Sequence, residues 1–121
     1  MAKKYIDWKL LELLSKIDSN VSLDDKVHKL SEEHGEFSQA LLKYKGSKNV
    51  SASASGNEKE HLLEELCDVL NVTLDIINTL GFSDKDVEDM FSRKLGKWGN
   101  KALVYSEDKT IKKKLKKLIK V

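Results

Sequence analysis

The sequence predicts an all-α fold, a helical bundle in which an antiparallel helical hairpin carries an acidic site. Three observations predict it. Apolar residues recur at steps of three and four in every long segment. No run alternates with period two for long enough to make a strand. Polar caps and glycines, never proline, separate the segments.

The first helix is expected over about 5–17, with Ile6, Leu10, Leu13, Leu14 and Ile17 at helical spacing and Asp18, Ser19 and Asn20 breaking it. Ser22 then caps a second helix, with Asp25 three residues on as a variant of the capping box. That helix runs to about Tyr44 on an apolar stripe of Val27, Leu30, His34, Phe37, Leu41 and Tyr44. Residues 45–57 are small and polar and read as a linker, with Lys45 and Lys48 in it as candidates for phosphate contact.

Asn57 caps a third helix to Leu80, ended by Gly81. Val69 to Leu80 is apolar on most sides, which predicts burial from several directions. Ser83 caps a fourth helix over about 84–98, with Val87, Met90, Phe91, Leu95 and Trp98 inward and Gly99 as its stop. Ser106 caps a short, basic fifth helix. Residues 1–104 are thus expected to form one all-α domain and 105–121 a basic amphipathic tail. A chain this short with one helix buried all round is expected to complete its core by oligomerisation.

Composition excludes several classes. Hydrophobic residues make up 40% of the chain and charged residues 35%, which is enough apolar material for a packed core and excludes wholesale disorder. No uncharged apolar run approaches the roughly 20 residues of a membrane span, so integral membrane contact is not expected. No secretory apolar region follows the start, and Cys67 is the single cysteine, so a cytoplasmic address is expected. Cys67 itself reads as a small hydrophobe. The net charge of +2 hides an asymmetry, because residues 109–121 hold seven lysines and no acid. The remainder carries 15 basic against 20 acidic residues, which is not the footprint of a nucleic-acid-binding domain.

The acids are not scattered. Glu33 and Glu36 stand three apart on the second helix, and Glu65 and Asp68 repeat the spacing on the third, so each pair shares a helical face. Asp75 sits in an otherwise apolar run and demands a cationic neighbour. In an antiparallel hairpin, Glu36 lies eight residues before Tyr44 and Glu65 eight after Asn57, so the two should face each other. Glu33 and Asp68, each 11 from the same ends, should do likewise. Four converging carboxylates repel unless a hard divalent cation joins them, and magnesium is the usual one.

Glu32-Glu33-x-x-Glu36 followed by Glu65-x-x-Asp68, with 28 residues between Glu36 and Glu65, resembles the signature of the MazG-like nucleoside triphosphate pyrophosphohydrolases. The Gly35-Glu36 step and the Asp68-Val69-Leu70-Asn71 continuation are also similar, and the likeness covers about residues 22–102. The resemblance implies magnesium-dependent hydrolysis of a nucleoside or deoxynucleoside triphosphate to the monophosphate and pyrophosphate, with manganese as a substitute metal, by a homodimer or homotetramer. It implies Glu33, Glu36, Glu65 and Asp68 as metal ligands and Glu32 as an outer ligand or the base that activates water. Glu33 stands with Glu32 as a catalytic candidate.

Substrate contacts are expected on the fourth helix. Lys94-Leu95-Gly96-Lys97-Trp98 is similar to the basic and aromatic stretch of that family, but Gly99-Asn100 follows where a proline is common. Lys94 falls by helical angle on the apolar face, so it should point inward and need an anionic partner. Lys97, Asn100 and Asn71 are further candidates, and Trp98 is a candidate for base stacking if it is not core packing. Two other functions compete. Glu58-x-x-His61 and Asp25-x-x-His28 fit a di-iron or di-manganese carboxylate protein, although the hairpin places them at different levels. A non-enzymatic helical adaptor would use the acidic face to bind a basic partner.

Overall fold

The computed structural model describes residues 6–46 and 57–119. Most of the 45–57 linker, Lys48 included, therefore lies outside the described residues. So do Tyr5, at the expected start of the first helix, and the last two residues. The described residues form five α-helices and no strand: α1 Trp8–Ile17, α2 Leu23–Tyr44, α3 Glu58–Thr79, α4 Asp84–Tyr105 and α5 Lys109–Leu118. They fall into two compact units, Met1–Gly81 and Phe82–Val121. No helix is long and apolar enough to cross a membrane.

In the first unit, side chains and glycines set the helix ends. Asp7 caps α1 by accepting from the Leu10 N–H at 3.0 Å, and Ser22 caps α2 by accepting from the Asp25 N–H at 3.1 Å. Such a cap contributes about 1 kcal/mol. Gly46 and Gly81 follow α2 and α3 at φ 70 and 89, a left-handed backbone that glycine enters without steric penalty.

α3 packs against both α2 and α1. Lys26, near the start of α2, meets Asp75 near the end of α3, whereas Glu33 and Glu36 meet Glu65. The contacts run in opposite chain order, so α2 and α3 are antiparallel.

The buried seam of α2 is offset from its apolar stripe. Lys26, Leu30, Glu33, Phe37 and Ala40 are buried or half-buried, at steps of four and three. Val27, His34, Leu41 and Tyr44, expected inside, are exposed. The reason is physical. Two of the five seam positions carry charge, so hydrophobicity alone slides the stripe one residue along the helix. The seam of α3 is Leu62, Glu65, Val69, Val72 and Ile76, again with a glutamate in it. Val72–Asn78 is half-buried rather than enclosed, because α1 and α2 each cover only part of it. Ala40 is the one buried apolar residue among the described residues; the other three buried ones, Ser15, Lys26 and Glu33, are polar.

The second unit holds α4 and α5, which pack on each other. Ser83 and Asp86 form a reciprocal capping box at the start of α4, the Asp86 N–H donating to Ser83 Oγ at 3.2 Å and the Ser83 N–H to Asp86 Oδ2 at 2.9 Å. Contrary to expectation, α4 does not stop at Gly99 but continues to Tyr105. Glycine there serves close approach: a Cβ at position 99 would stand 2.7 Å from Ile119 Cδ1. Asp108, not Ser106, caps α5, accepting from the N–H groups of Thr110 and Ile111. Ser106 instead closes α4.

Candidate metal centre

Two polar sites lie along the α2/α3 seam. The first is closed. Lys26 is 4% exposed, and its Nζ donates to Asp75 Oδ1 at 3.1 Å and to Thr79 Oγ1 at 2.8 Å. From α1, Ser15 Oγ donates to the same Asp75 oxygen at 2.6 Å. The cation that Asp75 requires is thus Lys26, and the three helices of the unit are tied through one carboxylate.

The second site is open. Glu33, Glu36 and Glu65 each offer a carboxylate oxygen, and the three oxygens lie within 4.8 Å of one another. Glu33 is 7% exposed, Glu65 is half-buried and Glu36 is exposed. Oε2 of Glu33 and Oε2 of Glu65 are buried and have no hydrogen-bond partner. Buried polar atoms are ordinarily paired, and an unpaired carboxylate oxygen is costly. The Glu33 carboxylate raises Glu36 above the ordinary carboxylate range, first by sharing a hydrogen bond and then by charge repulsion. Burial and the Glu65 charge add to this, and Lys29 opposes it. Two side chains approach from the rim. Lys29 Nζ lies 3.2 Å from Glu33 Oε1, and His61 Nε2 lies 3.6 Å from Glu65 Oε1.

Of the four carboxylates expected together, three converge and Asp68 stands apart, exposed. At about 100° per residue the seam residues Leu62 to Ile76 span an arc of about 80°, and Asp68 falls about 40° beyond its edge, on the side away from Leu62. Glu32 is exposed and pairs with Lys29 at 3.4 Å. Asn71 is exposed on α3. Neither Asp25 with His28 nor Glu58 with His61 belongs to the carboxylate group, which is the one candidate metal-holding cluster among the described residues.

In the second unit, Lys94, Lys97 and Asn100 are exposed on α4, and Trp98 is 71% exposed. Lys94 was expected inward among core residues, but its neighbours Met90, Phe91, Leu95 and Trp98 are themselves exposed. Within this unit α4 has only α5 to pack on, so its apolar stripe is not enclosed. Cys67, read as a small hydrophobe, is exposed too.

The periodicity of the sequence left two lysines of the seam and its rim unnoticed. Lys26 was findable by register, since it lies 18 residues before Tyr44 as Asp75 lies 18 after Asn57. Lys29 was findable by its spacing of four from Glu33. No family model matches the chain, and no curated protein or solved structure matches it.

The carboxylate group fits a hard divalent cation. All its donors are oxygen, Glu33 and Glu65 each carry a buried oxygen with no hydrogen-bond partner, and three carboxylates outnumber the cations beside them. A cation of magnesium type would meet each of these conditions.

Proposed function

We propose that the chain is a magnesium-dependent nucleoside triphosphate pyrophosphohydrolase. The observation that carries this reading is the pair of buried, unpartnered oxygens, Glu33 Oε2 and Glu65 Oε2, within a three-carboxylate group. The resemblance of Glu32-Glu33-x-x-Glu36 and Glu65-x-x-Asp68 to the MazG-like signature supplies the reaction. Glu33, Glu36 and Glu65 would hold the metal, with Asp68 as the ligand reached from the next turn of α3. Magnesium, or manganese in its place, would neutralise phosphate charge and acidify a bound water.

The chain's own contribution is placement and proton handling. Water adds its oxygen to the α-phosphorus, and pyrophosphate leaves with the electrons of the bond to the bridging oxygen. Glu32, exposed beside the group, accepts the proton. Roles for Lys94, Lys97, Asn100 and Asn71 in substrate contact, and for Trp98 against the base, follow from the resemblance alone.

A homodimer or homotetramer is part of this proposal. Leu63, Leu66 and Leu70 form a second heptad-spaced stripe on α3 that remains exposed. With a single buried apolar residue among those described, the first unit needs a further apolar surface to bury.

The test is a panel of canonical and modified triphosphates with magnesium, scoring pyrophosphate against single-phosphate release. Pyrophosphate release that is lost in Glu36→Gln is expected. No release from any triphosphate, together with no stabilisation by magnesium, would favour the adaptor reading instead.

A further inference from the structure

The two lysines of α2 that meet carboxylates differ in how firmly they are held. Lys26 is buried and makes two hydrogen bonds to side chains of α3. Lys29, less than one turn later, has a side chain 53% exposed, and its carboxylate partners, Glu32 and Glu33, lie on its own helix. Its ammonium approaches the carboxylate group from the rim and touches Glu33 only through Oε1, while Oε2 of Glu33 and of Glu65 stay unpartnered.

We propose that Lys29 is the resident counter-ion of the metal-free carboxylate group, and that its ammonium and a divalent cation compete for Glu33. This rests on the metal-binding reading above. One positive charge at the rim cannot balance three carboxylates within 4.8 Å, so Lys29 reduces their repulsion without closing the site. An exposed ammonium on a flexible stem moves into water at little cost, and a half-exposed pair of this kind is weak. The group therefore stays folded without metal, and its metal affinity is lower than three bare carboxylates would give. Glu32 shares the Lys29 ammonium at 3.4 Å, which keeps that ammonium beside the group.

Mn2+ alone, without nucleotide, is the probe, with free metal read by electron paramagnetic resonance on the full chain. Lys29→Met keeps the aliphatic stem and removes the charge. It should bind Mn2+ roughly 3- to 10-fold more tightly than the wild type. The gap should narrow between 20 and 500 mM KCl, because a charge at the rim is screened. Lys29→Arg, which keeps the charge, should return to wild-type affinity. Lys85→Met removes a lysine paired to Asp89 at 3.1 Å with the same spacing of four, in the other unit, and should leave affinity unchanged. Equal or weaker binding by a folded Lys29→Met, with the wild type binding normally, overturns the counter-ion role and leaves the metal site standing. A wild type that takes up no Mn2+ overturns both.

Discussion

The α2/α3 seam buries two carboxylate sites and solves them in opposite ways. At Asp75 the compensating charge is built in, since Lys26, Ser15 and Thr79 complete the site from three helices. At Glu33 and Glu65 the seam supplies more carboxylate instead of a cation, and only Lys29 and His61 approach from the rim. The same helix pair thus holds a finished structural site and an unfinished one. This difference, more than any single glutamate, supports the proposed metal-binding reading.

The largest effect should come from breaking the finished site. Lys26→Met leaves Asp75 without its cation and Thr79 without its donor. Loss of one partner of a buried pair costs about 3–5 kcal/mol, and partial exposure of Asp75 brings the expectation to about 2–4 kcal/mol. Urea unfolding should register it without metal or nucleotide. Lys26→Met combined with Asp75→Leu should recover most of that loss, since no charge is then stranded.

The unfinished site should respond in the reverse sense. Glu33→Gln removes a charge from a repelling group, so metal-free Tm should hold or rise. Wild-type Tm should climb with magnesium, by the equivalent of about 2.7 kcal/mol at 100 times Kd, and the variant should lose that response. A variant that loses stability without metal, as Lys26→Met does, would erase the distinction between the two sites. A finer contrast separates Glu65 from Asp68. Glu65→Gln should weaken Mn2+ binding more than Asp68→Asn, because only Glu65 lies in the seam. Equal losses would place Asp68 as a full ligand.

The smallest effect concerns a carboxylate satisfied by neither lysine nor metal. Asp86 accepts from the Ser83 backbone N–H, which holds its pKa below the ordinary aspartate range. A carboxyl with a lowered folded pKa contributes stability above its unfolded pKa, and that contribution is lost as pH falls through the folded one. The Tm gap between the wild type and Asp86→Asn should therefore be constant at neutral pH. It should close as pH drops below about 3.9.

Much of the fold was legible because caps and glycines are local signals. Ser22, Gly81 and Ser83 mark the ends of α2, α3 and α4 in the sequence as they do in the structure, whereas Asn57 stands at the start of α3 without a side-chain capping bond. The level at which Glu36 meets Glu65 followed from counting residues from those ends. What escaped was orientation. A seam with lysine and glutamate at buried positions is invisible to a search for apolar periodicity, so Lys26 and Glu33 were displaced by Val27 and His34. Gly99 misled for a different cause, because a glycine needed for contact with Ile119 looks the same in sequence as one that ends a helix. Asp68 was placed with Glu65 by spacing, yet it falls beyond the arc of α3 that forms the seam, so Glu65 is half-buried and Asp68 exposed.

The charged residues of the seam also bear on how α2 and α3 align. Heptad spacing makes an apolar seam nearly self-similar, so one helix can slide by seven residues and still offer its partner the same surface. Here a slide in one direction would set Glu33 against Asp75 and carry Lys26 beyond the end of α3. A slide in the other would leave Asp75 beyond the start of α2. The first slide sets two carboxylates together, and both part Lys26 from Asp75 and Thr79. The charges that make this seam a poor hydrophobic core therefore weigh against sliding, most of all in the first direction.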